Sequence, residues 1–314
     1  MQHLTHFDET ASERQQVESS EIDALWQDLG RAAGSVELGL NRLRVEPGKR
    51  PTPAHDHGAE EEIFYVLAGS GLSWRAGETH SLRAGDCLVY RPGEGAHTIV
   101  AGSEPLDVLA FGERRPAELA HLPRAGVIWA GPSWVADAEP GGHPFEREAA
   151  AGPLPMPAAL SPRPQWIVPR EDAPAVETER PGRRYTRRLL GRAAGARSTG
   201  LQHVVIAPGM HGWPRHCHAS NEELFVILGG SGSARIGDEQ ETVRAGHVLS
   251  RPAGTGLAHS FRAGPDGLEY LAYGQRRPHD IAYYPDSGKL AVWGVGVIGR
   301  IEQLDYWDGE DAPA

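Results

Sequence analysis

The stretch HDHGAEEEIFYVLAGSG, residues 55–71, recurs as HCHASNEELFVILGGSG, residues 216–232. The offset is 161, and it also relates Gly30-Arg31-Ala32-Ala33-Gly34 to Gly191-Arg192-Ala193-Ala194-Gly195. An offset of 162 relates LAFGERRP from Leu109 to LAYGQRRP from Leu271. A shift that drifts by a single residue over so long a span marks one duplicated domain. The copies are expected over 25–134 and 185–299. Ahead of them lies a segment 1–24, between them a linker 135–184 rich in Pro, Gly and Ala, and behind them a tail 300–314.

Within the quoted stretch, spacing decides the chemistry. His55 and His57, like His216 and His218, stand two apart, so on a strand both rings leave one face. A carboxylate five positions on would face the wrong way along a straight strand. The four intervening residues must therefore turn the chain, and Glu62 and Glu223 begin the next strand pointing back at the histidines. Phe225 and Ile227 then share the inner face with Glu223. His97 and His259 arrive later, beyond another hairpin. Three imidazoles and one carboxylate suit Fe, Mn, Ni, Cu or Zn. The expected metal residues are His55, His57, Glu62 and His97 in the first copy and His216, His218, Glu223 and His259 in the second. Glu62 and Glu223 are also candidates to move a proton.

Gly (39) and Pro (25) are abundant but form no low-complexity run, which fits turns between many short strands. Gly69-Ser70-Gly71 and Gly229 to Gly232 read as hairpin closures. Segments of five to seven residues rich in Val, Ile, Leu, Tyr and Phe predict an antiparallel barrel or sandwich. One longer helix is expected around Glu13 to Leu29. The net charge of −11 and the absence of a basic stripe argue against nucleic acid and anionic membranes. Two cysteines, Cys87 and Cys217, no basic-then-apolar leader and no apolar run of spanning length fit a soluble cytoplasmic protein. It is read as a monomer or homo-oligomer.

GKRPTPAHDHGAEEEIFYVLAG (48–69) and GMHGWPRHCHASNEELFVILGG (209–230) resemble the first motif of the cupin superfamily: Gly, six residues, His-x-His, four residues, Glu, six residues, Gly. GDCLVYRPGEGAH (85–97) and GHVLSRPAGTGLAH (246–259) resemble the second motif, which ends in the fourth ligand. The resemblance covers both repeats. It implies an all-β fold of two tandem cupin barrels, of the double-stranded β-helix or jelly-roll type, each with a divalent metal. Glu94 stands where the family usually has Gly, and the second copy carries two extra residues between Pro252 and His259.

The chemistry that the resemblance implies first is dioxygen-dependent cleavage of a small metal-chelating substrate, aromatic or enol-diol, with Fe(II) or Mn(II) foremost and Ni, Cu or Zn as alternatives. A non-redox decarboxylase, lyase or isomerase is the second reading. A binding or storage protein without turnover is the third. The second barrel is favoured as the working one, with Phe225, Phe261 and Trp213 near the ligands and Val205 where the first copy has Arg44.

Other residues receive plainer readings. Asp56 and Cys217 should point away from the metal. Glu60, Glu61 and Glu222 read as solvated turn residues. His203 and Arg42 align across the repeats and are candidates to line the barrels. The arginines of the two Arg-Arg-Pro segments read as surface residues. Gly294 to Gly299 spells a dinucleotide fingerprint, but too little chain follows for a βαβ unit.

Overall fold

The computed structural model describes residues 3–18, 20–131, 133–136 and 142–310. Stretch 137–141 of the expected linker and 311–314 of the expected tail lie outside them, as do residues 1 and 2 of the N-terminal segment. Each copy folds as an antiparallel barrel. In the first, a seven-stranded sheet runs Ile167–Pro169, Asp86–Tyr90, Glu62–Ala68, Leu106–Glu113, Leu38–Val45, Asp23–Asp28, Glu13–Gln16. It faces a three-stranded sheet of His97–Ala101, Ser70–Arg75 and Glu78–Arg83. The second barrel repeats the order Leu4–His6, His247–Arg251, Glu223–Ile236, His259–Gln275, Thr199–Ile206, Arg183–Arg188, Ala175–Arg180.

Two edge strands cross between the copies. Leu4–His6, from ahead of the first barrel, pairs with His247–Arg251 of the second. Ile167–Pro169, from between the barrels, pairs with Asp86–Tyr90 of the first.

Each barrel has its own apolar interior. Val45, Phe64, Leu88 and Ile99 lie in the first, and Ile206, Phe225, Leu249 and Phe261 in the second. A third cluster joins the outer faces. Leu40, Leu109 and Phe111 meet Leu201, Leu271 and Tyr273, and the Phe111 and Tyr273 rings lie 4.9 Å apart. The Gly-Arg-Ala-Ala-Gly repeat belongs to this junction as the short helical turns Leu29–Ala32 and Leu190–Ala193. A Cβ on Gly30 or Gly191 would sit 2.9 Å and 2.8 Å from the backbone nitrogens of Leu40 and Leu201, so only glycine fits.

Several expectations are corrected. The region read as a helix, Glu13 to Leu29, is two paired strands, and only Leu29–Ala32 is helical. Arg14 reaches across that pair to Asp23 at 2.8 Å, so its partner is cross-strand and not one helical turn away. The glycines at 69–71 and 229–232 do not close hairpins. In the second barrel one strand, Glu223–Ile236, runs through with register shifts at these glycines, which let it bend from one sheet into the other.

Glu61 and Glu222 are not solvated. Both are buried, and each reaches into the opposite barrel. Glu222 accepts from the amides of Val36, Glu37 and Leu38, and Glu61 from the amides of Arg197 and Thr199 and from the Thr199 hydroxyl at 2.6 Å. Removing either carboxylate strands buried N–H donors, each costing about 1–3 kcal/mol. Glu61→Ala and Glu222→Ala should each lower stability by about 3 kcal/mol, and Glu222→Gln by less. Denaturant unfolding followed by circular dichroism measures this. Wild-type stability in both alanine variants would exclude a joining role.

Candidate metal centres

The first and last histidines of each set are fastened by backbone pairing. His55 and His97 exchange amide hydrogen bonds of 3.1 and 2.8 Å, and His216 and His259 exchange bonds of 3.2 and 2.8 Å. This brings a residue late in the motif beside one early in it. The strand bearing the glutamate lies alongside, so each of the eight sequence-predicted residues enters its expected cluster. In the first barrel, Nε2 of His55, His57 and His97 lie 3.5, 3.3 and 2.9 Å from one atom, Glu62 Oε2. In the second, Nε2 of His218 and His259 lie 3.7 and 3.4 Å from Glu223 Oε2, and the His216 ring is 4.5 Å from that of His259.

Among the described residues His259 Nδ1 is buried without a partner, and the other five rings have their second nitrogen tied back, His97 Nδ1 lying 3.4 Å from Gly95 O. His55 Nδ1 is 3.0 Å from Pro53 O, and His216 Nδ1 is 2.8 Å from Pro214 O. His57 Nδ1 meets Glu118 Oε1 at 3.2 Å, and His218 Nδ1 meets Asp280 Oδ2 at 2.5 Å. Carbonyls and carboxylates only accept, so each of these Nδ1 atoms carries a proton, and Nε2 is the nitrogen left to take an ion. His57 Nε2 and His218 Nε2 are buried without a hydrogen-bond partner. Imidazole nitrogens beside a carboxylate are the donor chemistry that a divalent transition metal completes, so the residues fit the ion.

Glu118 and Asp280 went unremarked in the sequence, although they occupy the same place in the repeat, two residues beyond Arg114-Arg115-Pro116 and Arg276-Arg277-Pro278. Each also pins the turn between the histidine pair and the glutamate. Glu118 accepts from the Gly58 and Ala59 amides, and Asp280 from those of Ser220 and Asn221. The Arg-Arg-Pro segments are thus the approach to these carboxylates. Arg277 itself donates to Ser220 O and pairs with Glu37 at 3.0 Å.

Electrostatics agree with the geometry. Burial alone would raise the Glu62 carboxyl, but the surrounding His57, His55 and His97 imidazoles hold it well below the usual range. Burial also opposes ionisation of Glu223, and there His218 and Arg251 prevail, again lowering it. Burial drives His97 down to about 4. Despite burial, Glu62 and Glu118 push His57 up to about 10 without an ion, so an incoming metal displaces the proton on Nε2. Glu60, read as solvated, is half-buried and accepts from the Arg115 amide, and burial pushes its carboxyl up to about 7.

The two centres differ in their walls. Strand register sets Tyr90 opposite Glu62 and Arg251 opposite Glu223. Tyr90 stacks on His97 with ring centroids 3.8 Å apart, and Trp166 and Phe64 lie against Tyr90 at 5.5 Å each. Arg251, fully buried, donates from Nε to Glu223 Oε2 at 3.1 Å. The second centre opens on a cavity of about 200 Å³ lined by Trp213, Phe225, Phe261 and Tyr284, with Arg187 and Gln202 at its wall. Arg187 corresponds to Trp26 in the first barrel, since Arg187 pairs with Val204 as Trp26 pairs with Leu43.

Three lesser expectations can be settled here. Val205 is 41% exposed and faces outward, so it contributes nothing to the cavity. His203 and Arg42 do not line the barrels, because they pair with Glu269 and Asp107 at 2.6 Å each. Asp56 turns away from the cluster and accepts from the Gly93 amide.

A family model described as "Cupin domain" matches residues 41–112 and 202–271, one match per barrel. The chain belongs to the cupin superfamily. It is a bicupin, and its fold is shared with solved oxalate decarboxylases. That of Lactobacillus farciminis, in a formate complex, is 14% identical with a TM-score of 0.58, covering 87% of this chain and 86% of the other. That of Bacillus subtilis, in a study of its Mn(II) centres, is 16% identical with a TM-score of 0.58, covering 88% of this chain and 78% of the other. No curated protein matches the sequence. Among the described residues no helix is long and apolar enough to cross a membrane.

The tied-back imidazoles generate a prediction for this bicupin. Glu118→Gln and Asp280→Asn should each weaken metal binding at their own centre by about 10–100-fold, read by competition with a chromophoric chelator. Unchanged affinity in both variants would remove the orienting role from these carboxylates.

Proposed function

We propose that this bicupin is a metal-dependent enzyme that acts on a small organic acid in the second barrel, with dioxygen as the co-substrate. The two His-His-Glu-His sets serve as ligands, with Fe(II) or Mn(II) the preferred ions. The observation that carries the reading is the cavity over the second centre. One end holds the donor set, the walls are aromatic, and Arg187, which has no hydrogen bond or ion pair among the described residues, faces the same space. An apolar pocket with a few convergent polar groups is the form a small-molecule site takes.

When bound, the divalent ion supplies Lewis acidity and, as Fe(II) or Mn(II), a redox centre for dioxygen. The chain's own residues do the rest. Arg187 pairs with the substrate carboxylate, and its planar fork fixes the acid's orientation. Gln202 Oε1, buried without a partner, accepts from a substrate hydroxyl. Trp213, Phe225 and Phe261 enclose the apolar part and exclude water. Glu223 lines the cavity and is the carboxylate placed to exchange a proton with bound substrate. In the first barrel Trp26, Tyr90 and Trp166 pack into the corresponding interior. That centre therefore serves the fold, and Glu62 is a ligand there.

A second reading, non-redox decarboxylation or a related lyase reaction, is favoured by the shared fold with oxalate decarboxylases. Six aromatic side chains around the second cavity fit an aromatic or enolic acid better than a short, wholly polar diacid. Oxygen uptake on a panel of aromatic hydroxy acids, enediols and diketo acids separates the two readings. Consumption that matches substrate loss supports the first, and full anaerobic turnover supports the second.

On the substrate so found, Glu223→Gln should lower turnover by roughly a hundredfold or more and Glu62→Gln by far less, with metal content measured in each. Arg187→Gln should raise KM about tenfold with a smaller change in kcat. Loss of activity confined to Glu62→Gln would move the chemistry to the first barrel.

A further inference from the structure

Beside the metal cavity, and sharing Trp213 and Phe261 with it, the second barrel carries another hollow of about 280 Å³. Arg183, Arg215, Arg235 and Arg262 line it together with His211. These arginines are scattered along the sequence, so no basic run announces them in a chain of net charge −11.

The duplication shows what occupies this place in the first barrel. The bridge between Arg183 and His211 repeats the bridge between Ile22 and Arg50. By the same register, Ala54 stands for Arg215, Trp74 for Arg235 and Val100 for Arg262. Ala54, Trp74 and Val100 pack against Leu154 from the segment between the barrels. Trp74 also donates to Pro155 O at 2.9 Å, and Arg50 meets the buried Glu148 of the same segment at 3.0 Å. The first barrel is thus sealed by an apolar plug and one carboxylate. In the second barrel the four apolar counterparts are all arginine, and the hollow is open.

Three of those guanidinium groups are held in place by backbone carbonyls, and none meets a buried carboxylate among the described residues. Arg183 donates to Gly212 O, and both Arg215 and Arg235 donate to Gly237 O at 2.9 and 3.2 Å. The carboxylates within reach are Asp286, 3.3 Å from Arg215, and the almost fully exposed Asp238, 3.9 and 3.5 Å from Arg215 and Arg235. Exposed pairs of this kind neutralise little. Arg215 Nε is buried with no partner, and Arg262 makes no hydrogen bond or ion pair among the described residues. Burial, then Arg183 and Arg262, hold the His211 imidazole below its ordinary value, consistent with a positive field.

We propose that this hollow is an anion site separate from the metal centre, taking a compact polyanion of the phosphate class. Several guanidinium forks converging on one concave space match a tetrahedral oxyanion. The shared Trp213 and Phe261 wall makes the site a neighbour of the metal cavity, suited to an anionic effector.

Calorimetric titration of inorganic phosphate into the metal-loaded full chain, at constant ionic strength, tests the proposal. Saturable binding is expected in the wild type, weakened at least about tenfold in Arg235→Gln/Arg262→Gln and largely kept in Arg235→Lys/Arg262→Lys. His216→Ala should bind phosphate as the wild type does. No saturable binding, or binding unchanged in the glutamine variant, overturns the proposal. So does a signal that survives in the glutamine variant and vanishes in His216→Ala, because that phosphate would sit at the metal.

Discussion

The backbone pairing between the first and last histidine of each motif is the constraint on which both centres depend. Two imidazoles separated by some forty residues of chain, His55 from His97 and His216 from His259, become neighbours because their own amides and carbonyls bond to each other. The middle histidine is fixed by a different device, a carboxylate from beyond the barrel. Glu118 and Asp280 orient that ring and hold the turn after it with the same side chain. The donor set is thereby built before any ion arrives, which lowers the ordering cost of binding.

Duplication gave two barrels one plan, and substitution on that plan separated them. At the cavity and the basic hollow, the first barrel takes aromatic and aliphatic residues where the second takes arginine: Trp26 against Arg187, Tyr90 against Arg251, Trp74 against Arg235. The first interior is packed by its own side chains and by Trp166 from between the barrels, and its outer hollow is plugged by the same segment. The second keeps an open cavity over its centre and an open basic hollow beside it. Glu61 and Glu222 work in the opposite sense. They preserve a near-symmetric exchange of hydrogen bonds that holds the barrels together while their interiors diverge.

Six of the eight candidate ligands were legible in the sequence because their geometry is local: a two-residue spacing fixes a face, and a four-residue turn brings the glutamate back. His97 and His259 were legible only through the repeat and the resemblance to the second cupin motif. The repeat and its short apolar runs pointed to two antiparallel barrels or sandwiches, and the resemblance to the cupin motifs chose the barrel. What escaped depends on distant partners. Glu61 and Glu222 sit among other acidic or polar residues and look solvated until the opposite barrel supplies donors. Glu13 to Leu29 has a helical composition, yet its edge position in a sheet makes it a strand pair. Arg251 aligns with Arg91 by its Arg-Pro dipeptide, whereas strand register sets it at the place of Tyr90, opposite the ligand glutamate. Net charge hid the arginine hollow, because a fold can gather four cations that composition averages away.

The central claim is that each barrel holds its own ion with its own four residues. Metal content per folded chain, measured by mass spectrometry on the wild type, His55→Ala and His216→Ala, tests it most directly. The account predicts one ion for each barrel in the wild type, and loss of only the local ion in either variant. A wild type that binds no transition metal, or a single substitution that empties both barrels of a folded protein, would contradict it.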